Sequence, residues 1–110
     1  MENSKMIELN KENFDQEVKQ AKGKVLVDFF SPSCVPCAAL MPTVVKFSEA
    51  YGGKIKFTKL NTAAAMRLAI GEKVMGLPVV AIYNDGVKIE ELVKDDCTEE
   101  KIEEMIKKHI

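Results

Sequence analysis

The run Val25-Leu26-Val27-Asp28-Phe29-Phe30 is apolar at five of its six positions and rich in β-branched and aromatic residues. A strand with one wet face alternates apolar and polar side chains; a run this continuous reads as a central strand buried on both faces. Such a strand needs a covering layer on each side, so the remaining chain has to supply helices for both. With 110 residues the sequence suits one domain, residues 1–110, and leaves little room for a second. A chain of that size buries roughly 65% of the surface it exposes unfolded, so it needs no disulfide framework or structural metal to fold.

The flanking segments supply the layers. Met6 to Leu9 can form a short edge strand, and Asn10 is placed to cap a helix over Lys11–Lys19 with Phe14 and Val18 on one face. Gly23 ends it before the central strand. After the turn-forming Ser31-Pro32-Ser33, a helix is predicted from about Cys34 to Tyr51, with a kink at Pro42 and an end at Gly52-Gly53. Ile55 to Asn61 reads as a strand carrying Ile55, Phe57 and Lys59 on one face. Thr62 is then the expected cap of a helix from Ala63 to about Ile70. Val79–Tyr83 and Val87–Val93 flank Asn84-Asp85-Gly86, a hairpin signal. Thr98-Glu99-Glu100 opens a last helix with Ile102, Met105, Ile106 and His109 at helical spacing.

Charge and hydropathy exclude several functions. The formal net charge is −1, with both signs mixed along the chain and no basic stripe, so no nucleic-acid partner is expected. The longest apolar runs are near five residues against roughly 20 for a membrane span, so no membrane association is expected either. Met1–Leu9 lacks the apolar centre of a secretory signal. Taken as complete, the chain is expected to stay in the cytoplasm, where thiols rest mostly reduced.

Against that background Cys34 and Cys37, three residues apart, invite chemistry rather than stapling. A disulfide is attacked by a thiolate, so a redox cysteine needs something that favours its anion. Cys34 falls where the central strand gives way to a helix, where unpaired N–H groups and the positive end of the helix dipole converge. Cys37 lies one turn deeper on the same face, within reach of a disulfide. Pro36 sits in the first helical turn, where its missing N–H costs nothing. Cys34 thus reads as the nucleophile and Cys37 as the resolving thiol. The competing reading is half a zinc site completed by Cys97 and His109, but neither belongs to a second close pair, so no metal is expected.

Two further residues stand out. Asp28 places a carboxylate inside an apolar strand; it either faces water at an edge or is a buried acid–base group that exchanges a proton with Cys37. Gly76-Leu77-Pro78 opens a strand that should be central, where an ordinary proline would cost a ladder bond. A cis Leu77–Pro78 bond would explain it, and the sequence leaves cis and trans equally open.

Taken together, Val27-Asp28-Phe29, the Cys-x-Pro-Cys helix start, Pro42, Lys59-Leu60-Asn61, Gly76-Leu77-Pro78 and Asp85-Gly86 resemble the thioredoxin family over nearly the whole chain. The resemblance implies a thioredoxin-like α/β fold, a central mixed sheet of about five strands flanked by about four helices. It implies a protein-disulfide reductase that exchanges dithiol for disulfide, with Lys59 as the partner of Asp28 and Pro78 as a cis-proline facing the cysteines. It also implies no bound cofactor, a monomer, disulfide-containing target proteins, and recycling by a thioredoxin reductase that is a flavoenzyme. An oxidase or isomerase would use the same chemistry in another direction, and a redox-inactive binding module would use the scaffold alone. Ser33 stands where the family usually has Trp, Val35 where it has Gly, Ala38 where a basic residue is common, and Lys94-Asp95-Asp96 where a glycine is frequent. There is no Trp anywhere in the chain. The docking surface implied for targets is Ser33, Val35, Pro36, Gly76 and Leu77, so these departures bear on partner choice. The Cys-Val-Pro-Cys form and the Lys-Asp-Asp segment are similar to thioredoxins of anaerobic, amino-acid-fermenting clostridia. Cys97, just before Thr98, reads as a packing residue, the alternative being a third, regulatory redox thiol.

Overall fold

The computed structural model describes residues 6–110. Its five strands are β1 (Met6–Leu9), β2 (Lys24–Phe30), β3 (Lys56–Asn61), β4 (Val79–Asn84) and β5 (Val87–Val93). They form one sheet in the order β1-β3-β2-β4-β5. β3 runs parallel to both β1 and β2, whereas β4 is antiparallel to β2 and β5. β2 therefore holds the centre, with Val25 to Phe29 all buried, as the unbroken apolar run requires.

Strand alternation sends successive side chains to opposite faces and builds two cores. On one face Leu26, Phe57, Val80 and Ile82 pack under α1 (Val35–Tyr51) and α3 (Glu99–Lys108). On the other, Val25, Val27, Phe29, Leu60, Ala81 and Tyr83 pack against Phe14, Val18 and Ala69. Ala69 belongs to the short helix α2 (Met66–Gly71). In α3, Ile102, Met105 and Ile106 are buried, each contributing roughly 1.5–3 kcal/mol by leaving water. Its Thr98 hydroxyl accepts from the Lys101 N–H at 3.2 Å, and Glu99 and Glu100 occupy the first turn, where the dipole favours them. Tyr51 donates to Glu103 at 2.7 Å and ties α1 to α3.

Two local expectations need correction. The segment after β1 is capped by Asn10, whose Oδ1 accepts from the N–H groups of Glu12 and Asn13, yet its regular part is only a short π-type helix, Asp15–Lys19. Phe14 and Val18 are nevertheless both buried in the same core, as the expected shared face requires. The helix expected over Ala63–Ile70 is broken at Ala65 into a 3₁₀ turn, Thr62–Ala64, and α2. Asn61, not Thr62, caps that turn by accepting from the Ala63 N–H at 2.9 Å. Thr62 instead donates to the Phe30 carbonyl at 3.1 Å, so tertiary contact has claimed the hydroxyl. His109 follows the same spacing as the helix C-cap, 2.8 Å from Glu90.

The hairpin follows its sequence signal. Asp85 and Gly86 both have positive φ, 52° and 86°, as a two-residue type I′ turn demands. Asp85 also exchanges hydrogen bonds with Gly23, anchoring the turn to the loop before β2. A Cβ added to Gly86 would stand 2.1 Å from the backbone oxygen of Lys19, whereas one on Gly53 would meet nothing within 4 Å. Gly86→Ala should therefore lose about 1–3 kcal/mol in urea unfolding. Gly53→Ala should be neutral or gain up to about 1 kcal/mol. Equal effects would mean that the Gly86 contact carries no energy.

Candidate active site

Ser31-Pro32-Ser33 carries the chain from the end of β2 into α1, and Cys34 is the N-cap of that helix. Its backbone is extended (φ −88°, ψ 106°) and its Sγ accepts from the Cys37 N–H at 3.2 Å. One of the orphan donors of the helix start is thus aimed at sulfur, an arrangement that favours negative charge there. Pro36 stands in the first turn, and Pro42 lies within one continuous helix. The two cysteines are joined in a disulfide with their Cα atoms 5.2 Å apart. Their exposures differ: Cys34 is partly exposed, whereas Cys37 is only 2% exposed. Ser33, Val35 and Pro36 around them are exposed, Val35 at 77%.

The other site residues come from the sheet and its loops. Asp28 shares the face of Leu26, beneath α1, and is 1% exposed. Among the described residues neither of its carboxylate oxygens has a hydrogen-bond partner. Lys59 stands opposite it in the β2–β3 register, half-buried, so it acts on Asp28 through space rather than through a bond. Burial pushes the Asp28 carboxyl up to about 7, and the Lys59 charge only partly opposes this. The water-facing alternative for Asp28 is therefore excluded. The Leu77–Pro78 bond is cis and Pro78 is buried. Gly76 and Leu77 line a groove of about 290 Å³ with Ser31, Met66, Ile70 and Met75, and Pro78 lines a second depression with Pro36. The β4 loop and the start of α1 are thus neighbours.

A sequence model of the thioredoxin family matches residues 5–108. The chain belongs to the thioredoxin family. A thioredoxin of Acetoanaerobium sticklandii is 54% identical over 105 residues, covering 96% of this chain and all of that protein. A thioredoxin of Peptoclostridium acidaminophilum is 50% identical over 105 residues, covering 96% of each. One of Tissierella creatinophila is 66% identical over 44 residues, 40% of this chain and all of that protein. The similarity to thioredoxins of anaerobic clostridia is thereby substantiated. With the Cys34–Cys37 pair at disulfide distance, the protein is a thiol–disulfide oxidoreductase, a thioredoxin that reduces protein disulfides by dithiol–disulfide exchange. Family membership carries two general partners, disulfide-bearing targets and a reductase that restores the dithiol. No helix among the described residues is long and apolar enough to cross a membrane.

Cys97 is where sequence reading saw least of this thioredoxin's site. Its thiol donates to the Leu92 carbonyl at 3.3 Å and reaches the Pro78 carbonyl at 3.5 Å, so it packs behind the cis-proline. Only its place before a helix cap pointed to burial; nothing local predicted the proline contact. Burial, offset in part by a backbone hydrogen bond at Val80 and aided by the charges of Asp28 and Asp96, pushes the thiol up to about 11. At about pH 8 roughly one part in a thousand is then thiolate. Alkylation of the reduced protein should label Cys34 first and Cys97 slowly. Cys97→Ala should keep disulfide-reducing activity at a stability cost of about 1 kcal/mol. Rapid labelling of Cys97, or a peroxide-induced dimer through it, would instead mark a redox thiol.

The raised pKa of Asp28 makes stability depend on pH. In the unfolded chain its carboxyl ionises near 3.8, whereas the folded protein holds the proton up to about 7. This contribution is full below the lower value, declines as pH rises between the two, and is smaller by roughly 4 kcal/mol above the upper one. Asp28→Asn removes the decline. Its stability advantage in urea unfolding should grow by about 2–3 kcal/mol between about pH 5 and pH 8. An advantage independent of pH would mean that Asp28 ionises normally.

Proposed function

We propose that Cys34 is the attacking residue of this reductase and Cys37 the resolving one. The observation that carries the assignment is the asymmetry of the pair. Cys34 is partly exposed with an amide N–H directed at its sulfur, and Cys37 is buried. The Cys34 thiolate attacks one sulfur of a target disulfide, forming a mixed disulfide and releasing the other target sulfur as a thiolate that takes up a proton. Cys37 then gives its proton to Asp28 and attacks Cys34 Sγ. The mixed disulfide breaks and expels the second target sulfur as a thiolate that takes up a proton, so two electrons have passed to the target and Cys34–Cys37 is left oxidised. A buried carboxyl with a pKa of about 7 suits that proton exchange near neutrality.

In this reading Lys59 moderates Asp28, Pro78 and its neighbours face the sulfurs, and targets dock on Ser33, Val35, Pro36, Gly76 and Leu77. The protein works as a monomeric electron carrier in the cytoplasm, recharged by a flavoenzyme thioredoxin reductase. A cytoplasmic site agrees with the chemistry, since a disulfide reductant needs a reducing pool behind it.

Cys37→Ser should accumulate as a stable mixed disulfide with targets, because no resolving thiol remains, and Cys34→Ser should capture none. Mass spectrometry of the adducts reads the result. An adduct on Cys37 of the Cys34→Ser variant would reverse the two roles.

A further inference from the structure

Lys94 opens the turn that follows β5 with φ 55°, a left-handed conformation that glycine adopts freely and a lysine does not. One backbone hydrogen bond fixes it, and its side chain turns toward the loop before β4. Its N–H donates to the Pro78 carbonyl at 2.7 Å. Its side chain folds back over Gly76, so that a Cβ on Gly76 would stand 2.2 Å from Lys94 Cε and 3.2 Å from Nζ. Lys94 is exposed, and the end of its side chain crosses the space that a side chain at Gly76 would fill. Lys94 also lines a depression of about 270 Å³ with Pro36, which lies between the two cysteines, and with Pro78. None of the ion pairs among the described residues uses Lys94, whereas Asp96 is held by Lys101. Asp95 borders the same depression, but nothing ties it to the Gly76 loop. A strained residue that carries a cation to a depression shared with Pro36, the residue between Val35 and Cys37, is placed to meet what docks there.

We propose that Lys94 is a specificity-determining residue, whose ammonium favours target disulfides flanked by a carboxylate. The inference rests on the reading of Gly76-Leu77 as part of the docking surface and of Cys34 as the nucleophile. Two unit charges about 4 Å apart in water shift an equilibrium about fivefold, and more as the contact loses water. Salt weakens the effect at the exposed rim.

The test uses two synthetic peptide disulfides, identical except for Glu or Lys beside the attacked cysteine. Second-order rate constants for oxidation of the reduced protein are followed by quenched alkylation and mass spectrometry. The native protein should prefer the Glu peptide about three- to tenfold at low salt, and less at high salt. Lys94→Gln should bring the ratio of rates near unity. Gly76→Ala, which keeps the charge but displaces the side chain from that space, should also shrink the ratio. A ratio near unity in the native protein, or one that Lys94→Gln leaves intact, overturns the inference. Failure of the underlying reading looks different: Cys34→Ser would then react as fast as the native protein with both peptides.

Discussion

The burial of β2 on both faces is the constraint from which the site follows. A strand that shows no side chain to water must be covered on each side, and here α1 and α3 supply one cover and α2 with the Phe14–Val18 segment the other. Because β2 is central, its C-terminal end opens directly into the start of α1, and the helix can present its first N–H groups to Cys34 without further scaffolding. The same burial isolates Asp28. A carboxyl placed among Leu26, Val80 and the residues of α1 is cut off from bulk solvent, and the charge of Lys59 across the strand pair only partly offsets the cost. Fold stability and site chemistry therefore meet in one strand. The protein carries a group that opposes its own folding above neutral pH, in the strand that leads into the cysteine pair.

The strands were legible in the sequence because each depended on a pattern that tertiary context reinforces. Val25–Phe29 is continuous and central, and Asp85-Gly86 supplies the two positive φ angles that only a few residue pairs tolerate. α3 was equally plain, since its cap, its first-turn acids and its apolar stripe all agree. The short helices were not. Ala63 to Ile70 is an uninterrupted good helix former by propensity, yet the chain breaks at Ala65 while Thr62 bonds to the Phe30 carbonyl. Segments this short gain little from helical hydrogen bonds, so single tertiary contacts decide them.

The site divides in the same way. Cys34 and Cys37 were visible because their spacing and their place between strand and helix state the chemistry locally. The isomer at Leu77–Pro78, the depth of Asp28 and the contact between Cys97 and the Pro78 carbonyl were not visible locally, since each depends on residues distant in sequence. Lys94 is the extreme case. In the sequence it stood out only as a departure from a frequent glycine; its left-handed backbone and its approach to Gly76 are visible only in the fold.

The lack of tryptophan changes what the surface around the sulfurs can offer. An aromatic beside the first cysteine would be a rigid anchor with a large apolar face. Here that place is Ser33, and the exposed apolar area comes from Val35 next to the cysteines and from Met66, Ile70 and Met75 around the Gly76-Leu77 groove. Methionine is unbranched and polarizable, so it adapts to a partner's shape instead of demanding one. An adaptable apolar patch binds many targets with little discrimination among them, and discrimination then has to come from a feature that is fixed and directional. Charge is such a feature, because it is effective at longer range than packing and has a sign. Among the described residues Lys94 is a cation whose backbone is tied to the Pro78 carbonyl, so in the proposed reading apolar contact supplies general affinity for disulfide proteins and Lys94 the choice among them.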